Sequence, residues 1–167
     1  MDPNTICNGG SPRRRLKPYS DIYTGDRLLI QMGNSPLELL NIPMNTKEMD
    51  RYYSSFYEAY CVPGMGHHYT SFSYQLDQDC YSVMPLQILY DRDELIGFVW
   101  MHYAMLSNKQ FERPPSRVFR NAFKVVPDCL YKIAESQGFR TMHHYFIENP
   151  LDIQCPREQI SPFRASS

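Results

Sequence analysis

Hydrophobic and polar positions change period several times along the chain, and each change marks an element. From residue 46 to 60, Met49, Tyr52, Tyr53, Phe56, Tyr57 and Tyr60 recur at the spacing of one helical face. Asn45 and Glu48 form a capping-box pair in front of them, so a helix is predicted over 46–60, stopped by Pro63-Gly64. The period then drops to two. Over 67–74, His68, Thr70, Phe72 and Tyr74 share one face and His67, Tyr69, Ser71 and Ser73 the other. Over 84–90, Met84, Leu86, Ile88 and Tyr90 alternate with the rest. Residues 95–103 are apolar on both faces, as in a central strand. The polar link Asp91-Arg92-Asp93-Glu94 makes the last two strands a predicted hairpin.

Weaker signals flank this centre. Residues 27–32, closed by Gly33, read as a strand, and Leu37 to Ile42 is apolar but undecided between helix and strand. Pro127-Asp128 opens a helix carrying Leu130, Ile133 and Ala134 and stopping at Gly138. A helix over 116–125 precedes it, and 140–147 is a last strand ended by Asn149-Pro150. The expected fold class is therefore α+β: a mostly antiparallel sheet of four or five strands with two or three packed helices. The expected organisation is an extended arm at 1–26, one domain at 27–157 and a tail at 158–167.

Composition refines this picture. The 167 residues include 43% apolar and 21% charged, ordinary for a globular chain, with 13 Tyr, 9 Phe and one Trp. Tyr brings a hydroxyl that needs a partner wherever its ring is buried. A net charge of −1 lacks the basic footprint of general nucleic-acid binding, so no nucleic-acid partner is expected. The run Arg13-Arg14-Arg15-Leu16-Lys17 lies among prolines and glycines and reads as a solvated tail. The stretch Leu95 to Leu106 is too short for a membrane span. Met1 to Thr5 shows no apolar signal core.

Cys7, Cys61, Cys80, Cys129 and Cys155 are widely spaced, with no C-x-x-C. Two readings follow: five reduced thiols inside a cell, or two disulfides and a leftover thiol outside one. The second is preferred, which makes this a mature extracellular chain lacking its signal peptide, with a cytoplasmic protein as the alternative. Cys61–Cys80 and Cys129–Cys155 are the expected pairs, each closing a loop worth on the order of 3 kcal/mol, although any pairing is open in principle.

All five histidines lie in three segments, Gly66-His67-His68-Tyr69, Met101-His102-Tyr103 and Met142-His143-His144-Tyr145. Imidazole is a common ligand of zinc, copper and iron, which makes His68, His102 and His144 the candidate metal set. Strand direction limits it. If strands 67–74, 84–90 and 95–103 form a plain meander, the first and third run parallel and His68 lies on the order of 20 Å from His102. Parity further selects one member of each His-His doublet.

Glu94-Leu95-Ile96-Gly97-Phe98-Val99 is similar to the central strand of acyl-CoA-dependent N-acetyltransferases. That family's pyrophosphate loop presents glycines at a helix start, and Ser116 to Asp128 contains none, so no membership follows. G-x-S-x-G, G-x-G-x-x-G, Walker and H-E-x-x-H motifs are missing. The acids Asp77, Asp79, Asp91, Asp93 and Glu94 lack EF-hand spacing. The preferred functional expectation is a disulfide-stabilised extracellular binding or interaction protein with an aromatic surface or pocket. Its partner would be a small-molecule ligand or a protein, with Trp100, Tyr103 and Tyr145 as candidate contacts. The alternatives are a histidine-dependent metalloprotein, catalytic or not, centred on His102 with His143 or His144, and a structural subunit of a larger assembly.

Overall fold

A computed structural model of the chain describes residues 28–52 and 55–163. The expected N-terminal arm, its arginine run and Cys7 lie outside these residues. Among the described residues, seven strands form two sheets. A ribbon pairs β1 (Leu28–Gln31) with β2 (Leu39–Ile42), which settles the undecided segment as a strand. The main sheet orders β3 (Tyr57–Val62), β4 (Gly66–Thr70), β5 (Leu86–Asp91), β6 (Glu94–His102) and β7 (Arg140–Tyr145), all antiparallel. Three short α-helices complete the described part: α1 (Thr46–Tyr52), α2 (Phe119–Ala122) and α3 (Asp128–Ser136). The chain is thus α+β, with five strands in its principal sheet. No helix among the described residues is long and apolar enough to cross a membrane.

The predicted helix 46–60 is corrected. Asn45 Oδ1 does accept the Glu48 amide at 3.0 Å, as the capping pattern requires, but the helix stops at Tyr52. Tyr57 to Val62 is a strand in which Ala59 and Cys61 are buried and their neighbours half-buried. Aromatic and β-branched side chains favour a pleated surface, and pairing with β4 satisfies the backbone more fully than a lone helix can. Pro63-Gly64 is then a hairpin turn, with Gly64 at φ 78° and the Met65 amide bonded to the Val62 carbonyl at 2.9 Å.

The β5–β6 hairpin is tighter than its polar link suggested. Arg92 and Asp93 both have positive φ, 48° and 70°, and Asp91 pairs directly with Glu94. Two such residues give the turn the twist of a type I′ connection. Asp93 also holds the start of α1: its carbonyl accepts the Thr46 amide at 3.2 Å and its carboxylate accepts the Thr46 hydroxyl at 2.7 Å. Gly138, with φ 86°, closes α3 by donating to the Ile133 carbonyl at 3.0 Å.

The main sheet buries both faces. On one, Tyr69, Leu86, Ile88 and Tyr90 pack with Ile30, Ile42 and Met49 of the ribbon and α1. On the other, Met101 packs with Phe119, Phe123, Leu130, Ile133 and Phe139 from the helical segment. Leu89, Ile96 and Val99 meet Ile147 and Ile153 there as well.

Four of the five cysteines are disulfide-bonded, but as Cys61–Cys155 and Cys80–Cys129, so the expected pairing is corrected. With 61 in a strand rather than after a helix, its Sγ faces the returning C-terminal segment. Cys80, fully buried, meets the start of α3. Part of the expected tail lies against this body: Ile160 bridges Cys61, and the buried Ser161 hydroxyl donates to the Arg120 carbonyl at 2.5 Å.

Candidate functional site

The register places every histidine. His68 lies in the row His68–Leu89–Gly97–Tyr145, and His143 in the row Thr70–Gln87–Val99–His143, both on the helical face. His144 pairs with Phe98 and His102 with Arg140 on the opposite face. The candidate metal set His68, His102 and His144 is therefore divided between the two faces. β4 and β6 also run parallel, which is the meander that keeps His68 from His102. His144 stacks on Phe98 at 4.7 Å between centroids, and His102 stands edge-on to Phe111 at 5.1 Å. Among the described residues, no group of three or more His, Cys, Asp or Glu side chains is arranged to hold a metal ion.

His68 and His143 come together instead, with ring centroids 6.3 Å apart. The β3 strand bulges opposite His68, where Ala59 and Tyr60 face one residue of β4. That irregularity brings the Tyr60 carbonyl to His68 and the Ala59 carbonyl to its neighbour His67, whose Nε2 donates to Ala59 O at 3.2 Å. His68 Nδ1 donates to Gly66 O at 3.0 Å. Burial first, and then the neighbouring His143, lower the His68 pKa from 6.5 to about 3, so this ring is neutral at physiological pH.

Glu112 completes the cluster from the long link after β6. Its Oε1 lies 3.2 Å from His143 Nδ1, and its Oε2 accepts the Thr141 hydroxyl at 3.3 Å. Hydrogen bonding to His143 holds the Glu112 carboxyl below the usual carboxylate range, against the opposing effect of burial. Tyr145 stacks on His143 and donates to Met65 O at 3.4 Å, while burial pushes its phenol upward. This network ties β4 to β7 and to the segment that follows β6.

The candidate ligand contacts also separate. Trp100 lies with Leu86 and Met142 on the ribbon face, edge-on to Phe98, whereas Tyr145 belongs to the helical face. Tyr103 follows the far end of β6, donates to Cys80 O at 3.3 Å and stacks on Phe139. Six residues of strand from Gly97, the partner of Tyr145, to Tyr103 correspond to roughly 20 Å.

The open aromatic feature is elsewhere. A cleft of about 510 Å³ is lined by Tyr74, Leu76, Phe123, Tyr131 and Phe163, with Arg120, Lys124 and Asp128 also contributing. Tyr74, Leu76 and Phe163 are exposed by 46%, 58% and 59%, unusual for side chains of this kind gathered round one hollow. The Arg120 guanidinium lies 5.5 Å from the Phe163 ring centroid. Tyr74 is held by its hydroxyl bond to the Glu58 carbonyl and by its edge contact with Tyr57 at 5.3 Å. Sequence reasoning missed Leu76, Phe163 and Glu112, which sit in irregular segments without a period. For Leu76 and Phe163 the visible signal was an apolar residue in an otherwise polar connection, and Glu112 had none.

No family model, no curated protein and no solved structure matches this chain.

Proposed function

We propose that this chain is an extracellular binding protein whose aromatic cleft takes a small ligand with a flat apolar body and an anionic group. The cleft carries this reading: exposed Tyr74, Leu76 and Phe163 converge with Tyr131 on one hollow of ligand-sized volume. Aromatic walls supply contact area at little entropic cost. Arg120 supplies a cation at the rim of the cleft, while Lys124 is paired with Glu58 beside it. The two disulfides support the extracellular part, since such bonds persist in oxidising compartments.

The test is a fluorescence titration with 8-anilinonaphthalene-1-sulfonate, an anionic aromatic probe. The wild type is expected to bind it saturably at one site. The exposed-site variant Leu76→Ala/Phe163→Ala is expected to bind at least tenfold more weakly. Equal binding by both proteins, or no saturable binding by the wild type, overturns the cleft. Five free thiols in protein isolated from its native source overturn the extracellular placement.

A further inference from the structure

Arg140, at the start of β7, is only 6% exposed. Its Nε donates to the Leu106 carbonyl at 3.1 Å and its Nη1 to the Phe139 carbonyl at 2.9 Å. These two bonds engage a minority of the five guanidinium donors and neutralise none of its charge. Among the described residues, no carboxylate lies within ion-pair distance of it. A buried charge without a counter-ion costs several kcal/mol, and proteins rarely keep one without a use.

Arg140 is also among the residues that line a cleft of about 420 Å³, separate from the aromatic one, between the 113–117 segment and α3. Arg113 and Arg117, both exposed, line it too, with the Ser116 hydroxyl beside them. Glu135 is the single acid of the lining, so three arginines leave a formal excess of two positive charges. Pro114 and Pro115 stiffen the segment that presents Arg113 and Arg117.

We propose that this cleft binds the tetrahedral oxyanion, a phosphate or sulfate monoester, of a small organic ligand. Three guanidinium groups suit an ion with three or four acceptor oxygens; a carboxylate is already satisfied by one fork. Arg140 supplies a fixed, desolvated charge at the back, and Arg113 and Arg117 close on the remaining oxygens. The hollow exceeds a bare ion, leaving space for the organic part of the molecule.

Calorimetric titration with inorganic phosphate, sulfate and acetate at fixed ionic strength tests this on the intact disulfide-bonded chain. Phosphate or sulfate is expected to bind saturably, and whichever is tighter identifies the ester class. Acetate is expected to bind at least tenfold more weakly. Arg113→Ala/Arg117→Ala, altered only at exposed positions, should lose at least tenfold in affinity. Glu135→Gln should bind several-fold tighter, a gain that a purely structural role for the arginines would not produce. The proposal is overturned if neither ion binds saturably, if acetate binds as well, or if the double variant binds like the wild type. Binding of the aromatic probe is expected to be unaffected by the double variant, so the two clefts are tested separately.

Discussion

His68 of β4 and His143 of β7 stand edge to face with ring centroids 6.3 Å apart, although two strands lie between theirs. In a flat sheet, three strand spacings would separate the two backbones by about 14 Å. The sheet therefore curls toward its helical face. Register shifts in β3 and in the β5–β6 pair accompany that curl, as bulges commonly do. The hydrogen bond from Tyr145 to Met65 spans the same two strands.

Acid should weaken the fold through His68. Its folded pKa is depressed from 6.5 to about 3, so the unfolded chain takes up the proton first. Stability is complete above pH 6.5 and is lost as pH falls, at up to about 1.4 kcal/mol per pH unit for one proton. Glu112, also depressed, adds its loss only below its ordinary value of 4.5. Urea unfolding at pH 7.5, 6 and 5 should show a falling midpoint in the wild type and a flatter dependence in His68→Asn. Identical slopes would show that His68 is not the group responsible.

The disulfide connectivity is directly measurable. Non-reducing peptide mapping should recover Cys61 linked to Cys155 and Cys80 linked to Cys129. Sequence separations of 94 and 49 predict about 4.7 and 4 kcal/mol of loop entropy, so Cys61→Ser/Cys155→Ser should destabilise by roughly 2–5 kcal/mol. Recovery of a Cys61–Cys80 peptide would contradict the fold described.

Tyr90 is fully buried and donates to the Pro43 carbonyl at 2.8 Å, joining β5 to the segment that leads into α1. Tyr90→Phe keeps the ring but leaves that carbonyl without its donor. A loss of about 1–2 kcal/mol in chemical denaturation is expected. A variant as stable as the wild type would mean that water replaces the hydroxyl.

Gly97 allows β7 to approach β6 closely. A Cβ there would stand 2.2 Å from the His144 carbonyl oxygen, a backbone atom that cannot swing aside. Gly97→Ala should destabilise by at least about 2 kcal/mol and increase amide exchange in β7 around residue 145. Exchange unchanged in β7 would rule out the contact as the cause.

The strands that alternate or run apolar on both faces were legible because side-chain period and burial coincide there, as in 86–91 and 94–102. The histidine geometry was legible only as a condition: the meander that would separate His68 from His102 is the observed order. The helix predicted through Tyr60 failed because aromatic residues at 52, 53, 56, 57 and 60 satisfy a helical stripe while Tyr57 to Val62 equally suits a strand. Local pattern could not choose; hydrogen bonding to β4 did. The disulfide pairs failed for the same cause, since the role of Cys61 depended on that element.

By itself the sequence determined the fold class, the central hairpin and the start and end of α3, because these rest on local propensity, turn chemistry and residue type. Tertiary structure decided which cysteines pair and that His68 meets His143 rather than His102. It also decided that Leu76 and Phe163 share one cleft and that Arg140 stands buried beside two exposed arginines. Those relations join residues far apart in the chain, and only sheet order, register and curl bring them to a common distance.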